Sequence, residues 1–520
     1  MNPHNILVVD VGTQSLKASI ISQNGEVLCF RQVRYEKPYL SPKEGYAEQN
    51  PDYYLDELCV ATRALNEENP EQMASVKAMT LVDFRDSSVI LDENGKPIRN
   101  SILWLDQRVT RLHGKNLKLW EKLLFDIVGM KDTVKYNSER TASFWLMKYE
   151  KENWEKMKTY APIGTYFNQQ ITGNAVVSSA DCVGHFPIDF KKGKWFFKGH
   201  PKYDVFGIPM NALPKLVDVG SVIGYVTELF SRKSMIPEGI PLYASGSDKC
   251  CETFGNGCID KRQASISLGT ACTIDVVDQK YSEPEAFLPS YQAPYKGSYD
   301  LEIQIYRGMW MVTWFEEQFA SKDRIDAEKM GMSLESYLES KVKEIRPGSD
   351  GLVLQPYWGP GLKRPNAKGG IVGFSAVHTR YHIYRAILEG IAFALREGLD
   401  EIVRKTKTVP DYLVVSGGGS ESNVLLQIIA DVFGIEVRKS ALVEASTLGG
   451  AMSVFLADGT YSTPEEAVKN MVKEGEIIRP NSESHKIYDK LYRNVYLKMY
   501  PSLSEIYRNI KYFYLENVGE

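Results

Sequence analysis

Asp10, Gly12, Thr13, Ser15 and Lys17 fall within one eight-residue window of the stretch Ile6–Ile21, ILVVDVGTQSLKASII, and together they suit phosphate chemistry. A tight Gly-Thr turn between two apolar runs reads as a β-hairpin whose turn presents backbone N–H groups and two small hydroxyls, the donors that phosphate oxygens take up. The Asp10 carboxylate at its mouth is the hard ligand that a divalent cation takes. An ordinary hairpin with an aspartate at a strand end is the alternative. The stretch ASISLGTACTID (264–275) repeats the pattern, with Gly269-Thr270 between two β-rich runs. The two turns stand close to half a chain apart, which predicts two similarly built lobes, each aiming a hairpin at one cleft. A third unit is the run Leu413–Val415, then Ser416-Gly417-Gly418-Gly419-Ser420, then a helix from Asn423 to Phe433. Strand, triple glycine and helix N-terminus let backbone approach a flat or phosphorylated ligand closely. A glycine loop that serves only a sharp turn is the alternative.

The elements that would hold these residues follow from pattern and punctuation. Glu26–Val33 reads as a third antiparallel strand, and Asn50-Pro51 caps a helix over 52–66. Val76–Val82 and Val89–Asp92 read as strands, and Ile102–Leu105 as a short one. Residues 112–161 are helix-rich, Ser178-Ser179-Ala180 opens a helix or loop, and 186–215 form surface loops. Ile240–Ala244 and Glu436–Arg438 are further strands. Ile383, Ala386, Ile387, Gly390, Ile391, Ala394, Leu395, Leu399 and Ile402 recur at helical spacing, which predicts a core-packing helix over 382–405. From Pro464 onward the chain reads as amphipathic helix.

At 520 residues the chain exceeds one core. Apolar content of 43% with 25% charged residues describes a globular protein. A net charge of −4 leaves no basic footprint for nucleic acid. No apolar run is long enough to span a bilayer, and the N-terminus MNPHN has no basic or hydrophobic leader region, so the expectation is a cytoplasmic protein with no membrane partner. Seven cysteines without a repeated CxxC spacing predict free thiols in a reducing compartment.

Taken together, VDVGTQSLKA, SLGTAC, VVSGGGSESNVLLQIIADVFG and GGIVGFSAVHTRYHIYRAILEG (369–390) resemble the FGGY family of carbohydrate kinases, within the actin-like ATPase superfamily. Gly45–Pro51, the Trp104-x-Asp106-x-Arg108 run, Arg364-Pro365, and Glu444-Ala445-Ser446 before Leu448-Gly449 add to the likeness. The resemblance implies an α/β fold of two actin-like ATPase (ribonuclease H-like) lobes flanking a deep catalytic cleft. It places an N-terminal lobe over 1–255 and a C-terminal lobe over 256–520. It implies ATP and Mg²⁺ as cofactors, with Asp248 as general base and a metal role for Asp10 and Asp248. Thr13, Gln14, Ser15 and Lys17 on one side, with Gly269 and Thr270 on the other, would close on the triphosphate. Gly417, Gly418 and Asn423 would flank the adenosine.

The substrate end departs from the commonest pentulose kinases. In LVDFRDSSVILDENGKP, Arg85-Asp86 occupies the place of their Gly-Gln-(Met)-His-Gly segment and resembles the Arg-Glu pair with which glycerol kinases hold a polyol. Arg and Asp side by side can donate to and accept from vicinal hydroxyls; a surface ion pair is the alternative. Trp104 offers an apolar wall to a sugar, Asp106 and Arg108 look more like pentulose kinases, and Tyr136 lies near a glycerol-kinase substrate tyrosine. Ala142 replaces a family lysine, and Lys249 beside Asp248 either lowers that carboxylate's pKa or points to solvent. The expected function is ATP-dependent phosphorylation of a small sugar, a ketopentose first, with a polyol or autoinducer-like ligand as runner-up. An actin-like sensor or chaperone module without sugar chemistry is the competing class. A homodimer is compatible with the family.

Overall fold

The protein's structure, a computed structural model, describes residues 4–112, 117–285, 288–358, 361, 363, 364, 366–442 and 444–517. Of the run 358–365, Gly359, Pro360, Leu362 and Pro365 lie outside the described residues, so the Arg364-Pro365 match is described only at Arg364. No helix of the described residues is long and apolar enough to cross a membrane.

The first lobe is built on a six-stranded sheet of β1 (Asn5–Val11), β2 (Ser15–Ile21), β3 (Val27–Arg34), β4 (Val76–Asp83), β5 (Val222–Tyr225) and β6 (Pro241–Tyr243). Its order is β5-β6-β4-β1-β2-β3. The second lobe carries β7 (Gln263–Leu268), β8 (Cys272–Asp278), β9 (Tyr291–Gln292), β10 (Tyr299–Ile305), β11 (Tyr412–Ser416), β12 (Glu436–Lys439) and β13 (Ile477–Ile478), in the order β9-β10-β8-β7-β11-β12-β13. The two sheets share one plan. β1, β2 and β3 form an antiparallel meander, as do β7, β8 and β10. β4 then runs parallel to β1 and β6 parallel to β4, just as β11 runs parallel to β7 and β12 to β11. The repeat suggested by two Gly-Thr turns is therefore a repeat of a whole α/β sheet.

Helices cover both sheets. α1 (Pro51–Glu68) starts at Asn50, whose side chain accepts the Asp52 N–H at 3.1 Å. α2 (Ile163–Thr172) lies in the first lobe, and α3 (Asp248–Gly255) lies between the end of the first sheet and the start of the second. α4 (Trp310–Phe319), α5 (Arg380–Thr406), α6 (Asn423–Phe433) and α7 (Ala445–Ala457) belong to the second half. The apolar positions of α5 from Ala386 on are buried in the second lobe's core, with Ile383 half-buried against it, as a core-packing helix requires. Several expected elements differ. The 186–215 stretch is not surface loop throughout: Ile188–Asp189 pairs with Lys194–Trp195, and Phe186, Ile188, Phe190 and Ile208 are buried in a core cluster. Of the 102–105 run only Ile102 is strand, in the two-residue strand Ser101–Ile102, and Trp104 sits in the turn after it. Among its described residues the 112–161 region holds four short helices but ends in a strand, Thr159–Pro162, paired with Ser88–Leu91. The last two glycines begin a 3₁₀ turn, Gly418–Glu421, that intervenes before α6.

The lobes share a core of their own. Ile6, Val8 and Val82 of the first sheet pack with Cys251 and Phe254 of α3 and with Leu448, Met452 and Phe455 of α7. α3 and α7 cross at backbone distance: a Cβ on Gly255 would lie 1.9 Å from the Ala445 carbonyl oxygen, and one on Gly449 would lie 1.9 Å from that of Cys251. All seven cysteines are buried and free.

Candidate functional site

Asp10 and Lys17 face each other across the β1–β2 ladder. The C-terminal half reaches both: Ser446 Oγ, in the first turn of α7, donates to Asp10 Oδ2 at 2.8 Å, and Lys17 Nζ pairs with Glu444. Burial pushes the Asp10 carboxyl up to about 6, against the pull of Lys17 and Ser446, while Asp248 and Glu444 add repulsion. The turn itself closes through Gly12 N–H to the Ser15 carbonyl at 3.0 Å. Thr13 Oγ1 accepts from Trp104 Nε1 at 3.0 Å, Gln32 Nε2 donates to Ser15 Oγ at 3.0 Å, and Gln14 is exposed. Trp104 thus ties the expected sugar wall to the first hairpin.

On the opposite side the Gly269 and Thr270 carbonyls accept the N–H groups of Met309 and Trp310, at 3.1 and 3.3 Å, so α4 starts on the second hairpin. Gly417 has φ +84°, and a Cβ there would meet the Leu268 carbonyl at 2.9 Å. The glycine loop therefore lies directly on β7, and only glycine fits at that position. A Cβ on Gly418 would meet no atom within 4 Å, so that residue faces open space. Asn423, the first residue of α6, is exposed beside it.

Asp248 is the first residue of α3, where backbone N–H groups and the helix dipole favour a carboxylate. Its Oδ1 accepts the Lys249 N–H at 2.8 Å and lies 3.4 Å from Arg85 Nε. Burial raises its pKa above the ordinary carboxyl value, and Arg85 and Lys249 oppose that shift. Lys249 does not point to solvent. Its Nζ bonds Glu252 and Ser267 Oγ, both at 2.8 Å, and Ser416 Oγ donates to Glu252 at 2.6 Å, which links α3 to β7 and to the strand before the triple glycine.

Arg85 and Asp86 part company. Arg85 forks onto both oxygens of Glu302, on β10 of the other lobe, at 2.6 and 2.9 Å. Asp86 sits at φ +54° and accepts from the His185 backbone N–H at 2.8 Å, with His185 Nδ1 2.8 Å from its Oδ2. Tyr136 lies under the Arg140 guanidinium, 3.7 Å from the ring centre, and neighbours the exposed Tyr306. Asp106 and Arg108 form a brace: Arg108 Nε donates to Asp106 Oδ1 at 2.7 Å, and its Nη2 to Glu48 at 2.7 Å. Its guanidinium stands between Tyr46 and Trp145, and the Ala47 N–H donates to Asp106 Oδ2 at 2.7 Å, so this pair secures the 45–49 loop. Glu302, His185 and Tyr306 carry no local motif that singles them out. Glu444 and Ser446 were visible only as part of a family run. A cavity of about 150 Å³ is lined by Tyr291, Glu302, Tyr306, Tyr357, Trp358 and Arg364, among others.

The donor set fits a metal-bound triphosphate. Asp10 and Asp248 repel each other, a repulsion that a cation between them would relieve. Among the described residues no three His, Cys, Asp or Glu side chains form a metal cage, and Mg²⁺, which keeps waters and phosphate oxygens, needs only one or two carboxylates.

The model of the FGGY carbohydrate kinase N-terminal domain matches residues 5–255, and that of the C-terminal domain matches residues 264–457. A xylulose kinase of Lactococcus lactis subsp. lactis (strain IL1403) is 27% identical, covering 96% of this chain and 97% of its own. A gluconokinase of Bacillus subtilis (strain 168) is 25% identical, covering 94% of each. The crystal structure of gluconate kinase from Lactobacillus acidophilus has the same fold, with a TM-score of 0.83, 20% identity and coverage of 98% of this chain and 100% of that one. With both domain models matched in order, the chain belongs to the FGGY family of carbohydrate kinases.

Proposed function

We propose that this sugar kinase phosphorylates a ketopentose of the xylulose or ribulose type, with ATP as donor and Asp248 as general base. One observation carries the reading: Asp248 heads α3 with Arg85 at 3.4 Å on its sugar side and Lys249 leading to the second hairpin. Its carboxylate takes the proton of the attacking hydroxyl as the new oxygen–phosphorus bond forms and the β–γ bridging oxygen leaves with ADP. Burial favours this step, because a carboxyl raised toward neutrality is the stronger base. Thr13, Gln14, Ser15 and Lys17 hold the triphosphate from one lobe and Gly269 and Thr270 from the other, while Gly417, Gly418 and Asn423 flank the adenosine. Mg²⁺, when bound through Asp10 and Asp248, supplies charge neutralisation on the transferring phosphoryl group. The lobes, 1–255 and 256–520, exclude water that would compete for that group.

The ketopentose is favoured by the xylulose kinase likeness over nearly the whole chain. A polyol such as glycerol or erythritol is the second reading, favoured by Arg85 at Asp248. ADP release is to be followed with ketopentoses, aldoses, polyols and gluconate. A ketopentose is expected to raise turnover at least about 100-fold over the sugar-free rate. ATP turnover indifferent to every sugar contradicts the proposal.

A further inference from the structure

Arg85 is held from the opposite lobe, and the residue that holds it sets its charge. Glu302 takes both terminal nitrogens of the guanidinium, at 2.6 and 2.9 Å, leaving the Nε edge toward Asp248 at 3.4 Å. Tyr291 lies 5.6 Å from the guanidinium carbon, and the two paired side chains are only 12% and 6% exposed. A two-point fork fixes the guanidinium plane, which one hydrogen bond does not. An unpaired Arg85 would offer a full positive charge beside the reacting hydroxyl and attract a sugar carboxylate. Paired, it offers donors without net charge, and Asp248 leaves the surroundings negative.

Of the cations lining the cavity beside Glu302, Lys363 pairs with Glu401 and Arg364 with Glu397, while Arg307 stacks on Trp310. Behind Glu302, the β8–β10 ladder places Asp275 directly opposite it, and Asp300 is buried on the same strand. Lys249 is engaged by Glu252 and Ser267. Arg140, over Tyr136, shares its field with His185 and its partner Asp86. We infer that Glu302 is a specificity-determining residue: by pairing Arg85 across the cleft, it makes the subsite beside Asp248 select an uncharged polyhydroxy group and reject an aldonate carboxylate. The inference rests on the sugar-kinase reading with Asp248 as base, and narrows its substrate class.

The test compares kcat/KM for the best neutral sugar and for gluconate in the wild type, Glu302→Gln and Glu302→Asp. The wild type is expected to favour the neutral sugar by at least about 100-fold, since like charges at a recognition site are strongly disfavoured. Glu302→Gln is expected to shrink that preference at least about tenfold, chiefly through a lower KM for gluconate, and Glu302→Asp to keep it within about threefold. Equal losses on both substrates in Glu302→Gln, with the preference unchanged, would reduce Glu302 to a brace and overturn the inference. Should Glu302→Gln fail to fold, inhibition of the wild type by gluconate decides: a Ki at least about tenfold above the neutral sugar's KM supports it, and equal values overturn it. If neutral sugars turn over while the preference does not respond, Glu302 alone is misassigned. If no sugar turns over, the kinase reading fails and this inference falls with it.

Discussion

Asp10 is a buried carboxyl held above its unfolded value by desolvation, and this ties the proposed phosphate site to stability. The folded state binds the Asp10 proton more tightly than the unfolded chain does. Stability therefore falls as pH rises from about 4 to about 6, by roughly 3 kcal/mol for a shift of this size. In metal-free buffer Asp10→Asn should remove that slope and be the more stable form above pH 6, while matching the wild type near pH 4. Urea unfolding across that range measures it, and parallel curves would show that Asp10 carries no such burden. Asp248 gives a kinetic counterpart. Its raised pKa predicts an acid limb in kcat/KM above the ordinary carboxyl range, and Arg85→Ala should move the limb higher, because Arg85 is the largest opposing influence on that carboxyl. A pH–rate profile unmoved by Arg85→Ala would separate the two groups. The same residues mark the limit of the sequence. Arg85 and Asp86 are chain neighbours and read as one polyol grip. The left-handed backbone at Asp86 turns them to partners 217 and 99 positions away, which no local pattern encodes.

Among the elements, both hairpins, the triple-glycine turn and α5 were legible, because each is specified by short-range pattern: a Gly-Thr turn between apolar runs, a glycine at positive φ, or apolar residues at helical spacing. α3 was legible only as a motif around Asp248. Its place depends on the crossing with α7, where Gly255 and Gly449 let two backbones touch. Gly255→Ala puts a methyl carbon 1.9 Å from the Ala445 carbonyl oxygen, an atom of the backbone that cannot rotate away. The substitution should cost about 1–3 kcal/mol and lower the melting temperature, although alanine is the better helix former. A variant as stable as the wild type would mean that the helices separate freely. Asp106 and Arg108, which resemble pentulose-kinase sugar residues, have their polar atoms largely engaged by the 45–49 loop, and Trp104 between the two regions bonds Thr13.

The whole molecule is two copies of one sheet plan facing each other, with cross-lobe ties at both ends of the site. Lys17–Glu444 and Asp10–Ser446 join the halves at the end proposed for the nucleotide, and Arg85–Glu302 joins them at the end proposed for the sugar. Because the ties are separate, they should fail separately. Lys17→Met is expected to raise KM for ATP about tenfold with little change for the sugar, since it would remove a charge proposed to hold the triphosphate. A rise confined to the sugar KM would reverse the assignment of the two ends. The central claim is that both hairpins deliver phosphate to a hydroxyl activated by Asp248. Its most direct measurement is sugar-dependent ADP release with a ketopentose, comparing the wild type with Asp248→Asn of unchanged melting temperature. A loss of about 10²–10⁴ in kcat, with nucleotide binding retained, is the predicted result. Turnover that survives the substitution would contradict it.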